Sequence, residues 1–255
     1  LLDPKGTTTE EFLLDLMRQL DALAPAPTAT LKKKLLVLST PRSGSTMFCD
    51  VLNRVGVFGE CWEWFNFRYM AAYGQLKGQS NVDFNEYLNF IISRTTGETG
   101  VLAVNMHVEQ YVQLKEKGLD AFQLGFDHVI YLYRKDKIAQ ALSLARARAT
   151  DAWVAATEAR DVRFGVDEIT SALQHLIKSE QIFRQHIQPR VAACYAYERF
   201  RDLTRPDAFI EVLRAMGQGD CIPETWGTGL QSQASGSGDL KNAYLNYLSG
   251  DGDWF

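Results

Sequence analysis

The stretch Leu35-Leu36-Val37-Leu38 constrains the fold most, because a run of small polar residues and then a helical pattern follow it at once. A short apolar run of this kind reads as a strand buried on both faces. Met47, Val51, Leu52 and Val55 then recur at helical spacing. Between strand and helix, Ser39 to Thr46 forms a tight turn at a helix N-terminus, where free backbone N–H groups and the helix dipole favour an anion. Gly44 allows close backbone approach, Ser43, Ser45 and Thr46 supply hydroxyls, and Arg42 supplies a charged fork suited to phosphate or sulfate. The same residues also suit an ordinary capped turn.

Further strands are expected at Val101-Leu102-Ala103-Val104 and His128-Val129-Ile130-Tyr131-Leu132-Tyr133, each followed by a helical pattern, with the longest helices near 135–149 and 167–187. Alternating strands and helices imply an α/β fold, a central parallel sheet with helices on both faces, which binds ligands at the C-terminal ends of its strands. Residues 10–23 carry helical spacing through Phe12, Leu13, Leu16, Leu20 and Leu23, and Ala24 to Thr30 reads as a linker. This gives an N-terminal helix and linker over 1–30 and a main domain over 31–255. Residues 231–239 have loop composition.

With 255 residues and a net charge of −4, the chain can bury a large core and carries no positive field for nucleic acid. The four cysteines are scattered without a CxxC pair, which suggests reduced, packed thiols and a cytoplasmic setting. No segment is long and apolar enough for a membrane span, and the first residues lack the order of a signal peptide.

The Walker A pattern is absent: Ser39 stands where its first glycine would be and Ser45 where its lysine would be. A magnesium-dependent nucleotidase needs an acid at a strand end, whereas the run 129–133 ends in Arg134. No metal-ligand spacing occurs elsewhere. These features favour a nucleotide with two separate phosphates over a metal-bound triphosphate. A P-loop nucleotide kinase or hydrolase, and a non-catalytic nucleotide-binding protein, are the competing readings.

Three motifs in order resemble those of the sulfotransferases that use 3′-phosphoadenosine 5′-phosphosulfate (PAPS). The nearest pattern is that of the bacterial trehalose 2-sulfotransferase group, which includes carbohydrate and lipopolysaccharide sulfotransferases. They are Pro41-Arg42-Ser43-Gly44-Ser45-Thr46, then Gly59-Glu60-Cys61-Trp62-Glu63-Trp64-Phe65, then Arg134 with Ser143 nine residues later. The match runs through most of 34–203, with a looser echo near 230–247. The resemblance implies a P-loop-like sulfotransferase fold in which 42–46 hold the 5′ side of PAPS. It also implies Arg134 and Ser143 at the 3′-phosphate, with Arg146 and Trp153 at family-like distances and Trp153 near the adenine. Two departures remove positive charge: Asn105 stands where the family often has lysine, and Ser232-Gln233-Ala234 where it has Arg-Gln-Ala.

The resemblance also implies transfer of a sulfuryl group to a hydroxyl of a carbohydrate, glycolipid or other small alcohol, leaving 3′,5′-ADP and needing no metal. Glu63 is the family's proposed base, and its aromatic neighbours are expected to desolvate it and raise its pKa. His107 is the rival, since Asn105-Met106-His107 resembles the Lys-x-His strand end of eukaryotic cytosolic sulfotransferases. Glu60, Trp62 and Phe65 are the residues expected to meet the acceptor, with Trp64, Phe67, Tyr69 and Tyr73 suited equally to an acceptor wall and to core packing. The expected partner is a hydroxyl-bearing small molecule, with no nucleic acid and no stable membrane insertion; a homo-oligomer is left open.

Overall fold

Four apolar segments pair into a parallel sheet: β1 (Lys33–Ser39), β2 (Val101–His107), β3 (His128–Tyr133) and β4 (Ala193–Ala196), in the order β2-β1-β3-β4. The computed structural model describes residues 9–25, 31–150, 165–230 and 237–249. The helices among them are α1 (Thr9–Ala22), α2 (Ser45–Val55), α3 (Phe67–Lys77), α4 (Phe84–Thr95) and α5 (Val108–Glu116). They continue as α6 (Lys137–Thr150), α7 (Val166–Ile182), α8 (Tyr197–Phe200), α9 (Asp207–Ala215) and α10 (Ser237–Ser249).

The side-chain period of two divides β1 between two cores. Leu36 and Leu38 join Leu102, Val104, Met106 and Tyr131 on one face, under α1, α3, α4 and α5. Leu35 and Val37 join Val101, Ala103, Ile130 and Leu132 on the other, under α2 and α9. A strand covered on both sides has no polar face, which is why the run 35–38 shows no alternation. A third cluster, containing Leu142, Ile169, Leu176 and Tyr244, holds α6, α7 and α10 together. The expected parallel sheet with helices on both faces is therefore the architecture observed.

The N-terminal helix is woven into the first core, where Leu13, Leu16, Met17 and Leu20 are buried. At the other end of the chain, Ser237 to Asp239, expected as loop, form the first turn of α10. Gln231 to Gly236, with Ser232, lie outside the described residues, as does Trp153. The long helix expected over 167–187 changes character before its end: α7 gives way to a π turn over Phe183–Ile187. There Phe183 lies flat on Tyr131, ring centroids 3.5 Å apart. Among the described residues no helix is long and apolar enough to cross a membrane.

Parallel pairing brings the strand ends to one edge of the sheet. Ser39 lies in register with His107 on one side and Leu132 on the other, and Tyr133 pairs with Ala196. A bridge between Trp62 and Val104, with Asn105 N–H donating to Trp62 O at 2.9 Å, lays segment 60–65 along the outer edge of β2. All three sequence motifs thus meet where the strands end.

Helix α2, which follows the turn after β1, rests on the second core through Phe48. Its ring stacks on Phe209 at 4.6 Å and meets Phe200 edge-on at 5.1 Å. Phe48→Ala is expected to cost about 3–5 kcal/mol of folding stability, measured by urea unfolding, with the loss showing as a lower midpoint at an unchanged slope.

Candidate active site

The loop after β1 is held from below and from the side. Gln140, fully buried in α6, donates Nε2 to Thr40 Oγ1 at 2.9 Å and to Pro41 O at 2.7 Å. Arg42 adopts a left-handed backbone, φ +62°, and Gly44 follows at φ +87°. A Cβ at Gly44 would lie 2.4 Å from the Tyr197 ring, so only glycine fits there. Gly44 is also the N-cap of α2, which leaves the first amides of that helix without intrahelical partners.

Two arginines converge on this loop. Arg134, just past β3, lies over the Tyr197 ring at 5.1 Å, and its Nε is buried with no hydrogen-bond partner. The turn behind it is fixed by Glu198, whose carboxylate accepts from Lys135 N–H at 3.1 Å and Asp136 N–H at 3.2 Å. Arg42 donates Nε to Ser143 Oγ at 3.0 Å. Burial first, and then the nearby positive charge of Arg134, hold the Arg42 guanidinium below its ordinary pKa, against the pull of Glu63. Ser43 Oγ is likewise buried without a partner. Two like charges and two orphaned polar atoms around one turn describe a cradle shaped for an anion.

Beside the cradle, the two candidate bases are hydrogen-bonded to each other. Glu63 Oε1 lies 3.2 Å from His107 Nε2, while Glu63 Oε2 accepts from Gln110 Nε2 at 2.8 Å and Asn66 Nδ2 at 3.2 Å. The other face of the imidazole is fixed by Ser39, with Oγ 2.8 Å from His107 Nδ1, and Ser39 Oγ also lies 3.3 Å from Asn105 Oδ1. Asn105 therefore ends a chain of hydrogen bonds running Asn105, Ser39, His107, Glu63.

The expectation that aromatic neighbours raise the Glu63 pKa is overturned. Burial does push it up, but the charge of His107 and the hydrogen bonds from His107, Gln110 and Asn66 outweigh that and hold it at about 2. For His107, burial pulls the pKa down, and the charge and hydrogen bond of Glu63 more than reverse this, so that it stands above its ordinary value. Each shift favours the charged form of its group, imidazolium on one side and carboxylate on the other.

The aromatic residues of the second motif divide. Trp64 and Phe65 are 0% and 1% exposed and belong to the core, Phe65 packing on Phe84 with ring centroids 6.1 Å apart. Phe65 was expected to meet the acceptor; instead, Trp64 Nε1 donates to Glu60 O at 2.8 Å and closes a turn that carries both rings inward. Tyr73 is also core, and Phe67 and Tyr69 pack partly buried against it. Glu60 and Trp62 stay half-buried, and Glu60 Oε2 and Trp62 Nε1 are buried without partners. Burial raises the Glu60 carboxyl above its ordinary value.

Asn66 and Gln140 help build the site yet carry no motif in the sequence, whereas Tyr197 and Glu198 fall in Tyr197-Glu198-Arg199-Phe200, a segment that resembles a family stretch and reads as structural. Gln110 had a legible signal, since its Oε1 accepts from His107 N–H at 3.0 Å in the spacing of a helix capping box.

A model of the Stf0 sulphotransferase family matches residues 34–188, which is more than half of the chain, and the chain belongs to that family. The activity of the family is sulfuryl transfer to an acceptor. A search of curated proteins returns no match.

The pair gives opposite pH signs for its two members. The lowered Glu63 pKa contributes stability that is fully present above its ordinary 4.5 and lost as pH falls towards about 2. The raised His107 pKa contributes stability fully present below its ordinary 6.5 and lost as pH rises through the raised value. His107→Gln is therefore expected to cost most between pH 4.5 and 6.5, on the order of 2 kcal/mol. Urea unfolding across pH checks this; a cost that does not vary with pH would contradict the ion pair.

Proposed function

We propose that the chain transfers a sulfuryl group from PAPS to a hydroxyl of a carbohydrate, glycolipid or other small alcohol. The observation that carries this reading is the pair of converging arginines, Arg42 and Arg134, beside two buried donors that lack partners. The donor set fits an anionic nucleotide: amides at an α2 N-terminus opened by Gly44, hydroxyls of Ser43, Ser45 and Thr46, and two guanidinium groups. The amides of 42–46 with Arg42, Ser45 and Thr46 would hold the 5′-phosphosulfate, and Arg134 with Ser143 the 3′-phosphate. The Arg42 bond to Ser143 would then link the two subsites. When bound, PAPS supplies the sulfuryl group and a phosphate leaving group.

The remaining work falls to the protein's own residues. Arg42 and Ser43 offset negative charge developing at the loop. Glu60 Oε2 and Trp62 Nε1, buried without partners, orient the acceptor hydroxyl by accepting from it and donating to it. Glu63 takes the acceptor's proton at Oε1, the oxygen free of the two amide donors. A carboxylate with a pKa of about 2 is a weak base while His107 is charged. Loss of the imidazole proton removes that charge and makes Glu63 more basic, so the pair works as one base.

Transfer of labelled sulfate from PAPS to extract components tests the reading directly. Turnover is expected to rise with pH through the raised His107 value, and Glu63→Gln is expected to lower it by about 10²–10⁴-fold and flatten that rise. A Glu63→Gln protein with full turnover and an unchanged pH profile would remove Glu63 from the chemistry.

A further inference from the structure

The cysteines at 49 and 61 sit closer together than their separate sequence contexts suggest. Cys49 lies on the inner face of α2, 1% exposed, and Cys61 lies in the segment between Glu60 and Glu63, 0% exposed. Their Sγ atoms are 2.9 Å apart, inside the sum of two sulfur radii. The two backbones are already locked to one another, because Asn53 Oδ1 accepts from Cys61 N–H at 2.7 Å and Asn53 Nδ2 donates to Cys61 O at 3.4 Å. The sulfurs therefore face each other in a fixed frame, and little main-chain movement separates this arrangement from a covalent bridge. Cys194 and Cys221, by contrast, are exposed.

We propose that Cys49 and Cys61 are an oxidisable pair that cross-links the phosphate-loop helix to the segment bearing Glu60 and Glu63. With hydrogen peroxide as oxidant, one thiol loses its proton and the thiolate attacks the peroxide to give a sulfenic acid and hydroxide, which takes up that proton as water. The second thiol then displaces water from that sulfur, forming the S–S bond. Two thiols and one peroxide thus become one disulfide and two waters. Burial pushes the Cys49 thiol well up, and exclusion from solvent slows the oxidant, so the bridge forms slowly at neutral pH and faster as pH rises. The consequence is a join between α2 and the outer edge of β2, the two walls on which the anion cradle and the base are mounted. This inference stands on the thiol geometry alone and holds whatever the donor or acceptor.

The test uses the full chain with Cys194→Ser and Cys221→Ser, which leaves only the pair. After peroxide treatment, blocking of free thiols in denaturant and non-reducing trypsin digestion, cleavage at Arg42, Arg54 and Arg68 places Cys49 in 43–54 and Cys61 in 55–68. The expected result is one joined species of 43–54 and 55–68, two hydrogens lighter than their sum, from monomeric protein. The oxidised protein is expected to melt several degrees higher, reversed by reductant and absent in Cys49→Ala and in Cys61→Ser. Recovery of the two peptides only as separate blocked or over-oxidised species overturns the proposal, as does a joined species found only in cross-linked dimers.

Discussion

Two guanidinium groups brought towards each other in a partly buried turn are the constraint around which the rest of the molecule is arranged. Arg42 and Arg134 repel, and burial deprives Arg42 of the water that would screen it. Such an arrangement is tolerable because the scaffold around it is stiff. Gln140 clamps the loop through two hydrogen bonds, Glu198 fixes the turn behind Arg134, and Tyr197 fills the space that Gly44 leaves open. Parallel strand pairing aims these loops at one edge, so the repulsion is concentrated where an anion can relieve it.

The proposed base, Glu63, lies within electrostatic reach of the same turn, since it acts on the Arg42 guanidinium. That coupling joins the two halves of the site. A charged ligand in the cradle changes the field at Glu63, and the protonation of His107 changes the field at Arg42 through Glu63. Asn105 is a neutral end to the chain of hydrogen bonds through Ser39. The positive charge against the carboxylate is the titratable imidazole, which makes Glu63 sensitive to pH in a way that a fixed ammonium would not.

The sheet was legible because a strand covered on both faces leaves an unbroken apolar run, and the runs at 35–38, 101–104 and 128–133 fall inside the observed strands. The tight turn between β1 and α2 was legible because glycine and hydroxyl side chains there answer to local backbone demands. The fate of Phe65 and the pKa of Glu63 were not. Both are set by tertiary contacts: a turn closed by Trp64 in one case, and donors from His107 and Gln110, far along the chain, in the other. The polar clamp Gln140 was silent for the same reason, since a glutamine on a helix reads as surface until its partner is known. The contact between Cys49 and Cys61 was equally hidden, because scattered spacing says nothing of which thiols meet.

The central claim is that the edge of this sheet holds a nucleotide with two separate phosphates, through arginines rather than through a metal. Calorimetric titration in the presence of EDTA, comparing 3′,5′-ADP with 5′-ADP, tests it most directly. The account predicts binding of 3′,5′-ADP without metal, at least about tenfold weaker binding of 5′-ADP, and near-complete loss of that difference in Arg134→Ala. Equal affinity for the two nucleotides, or binding that appears only when magnesium is added, would contradict it.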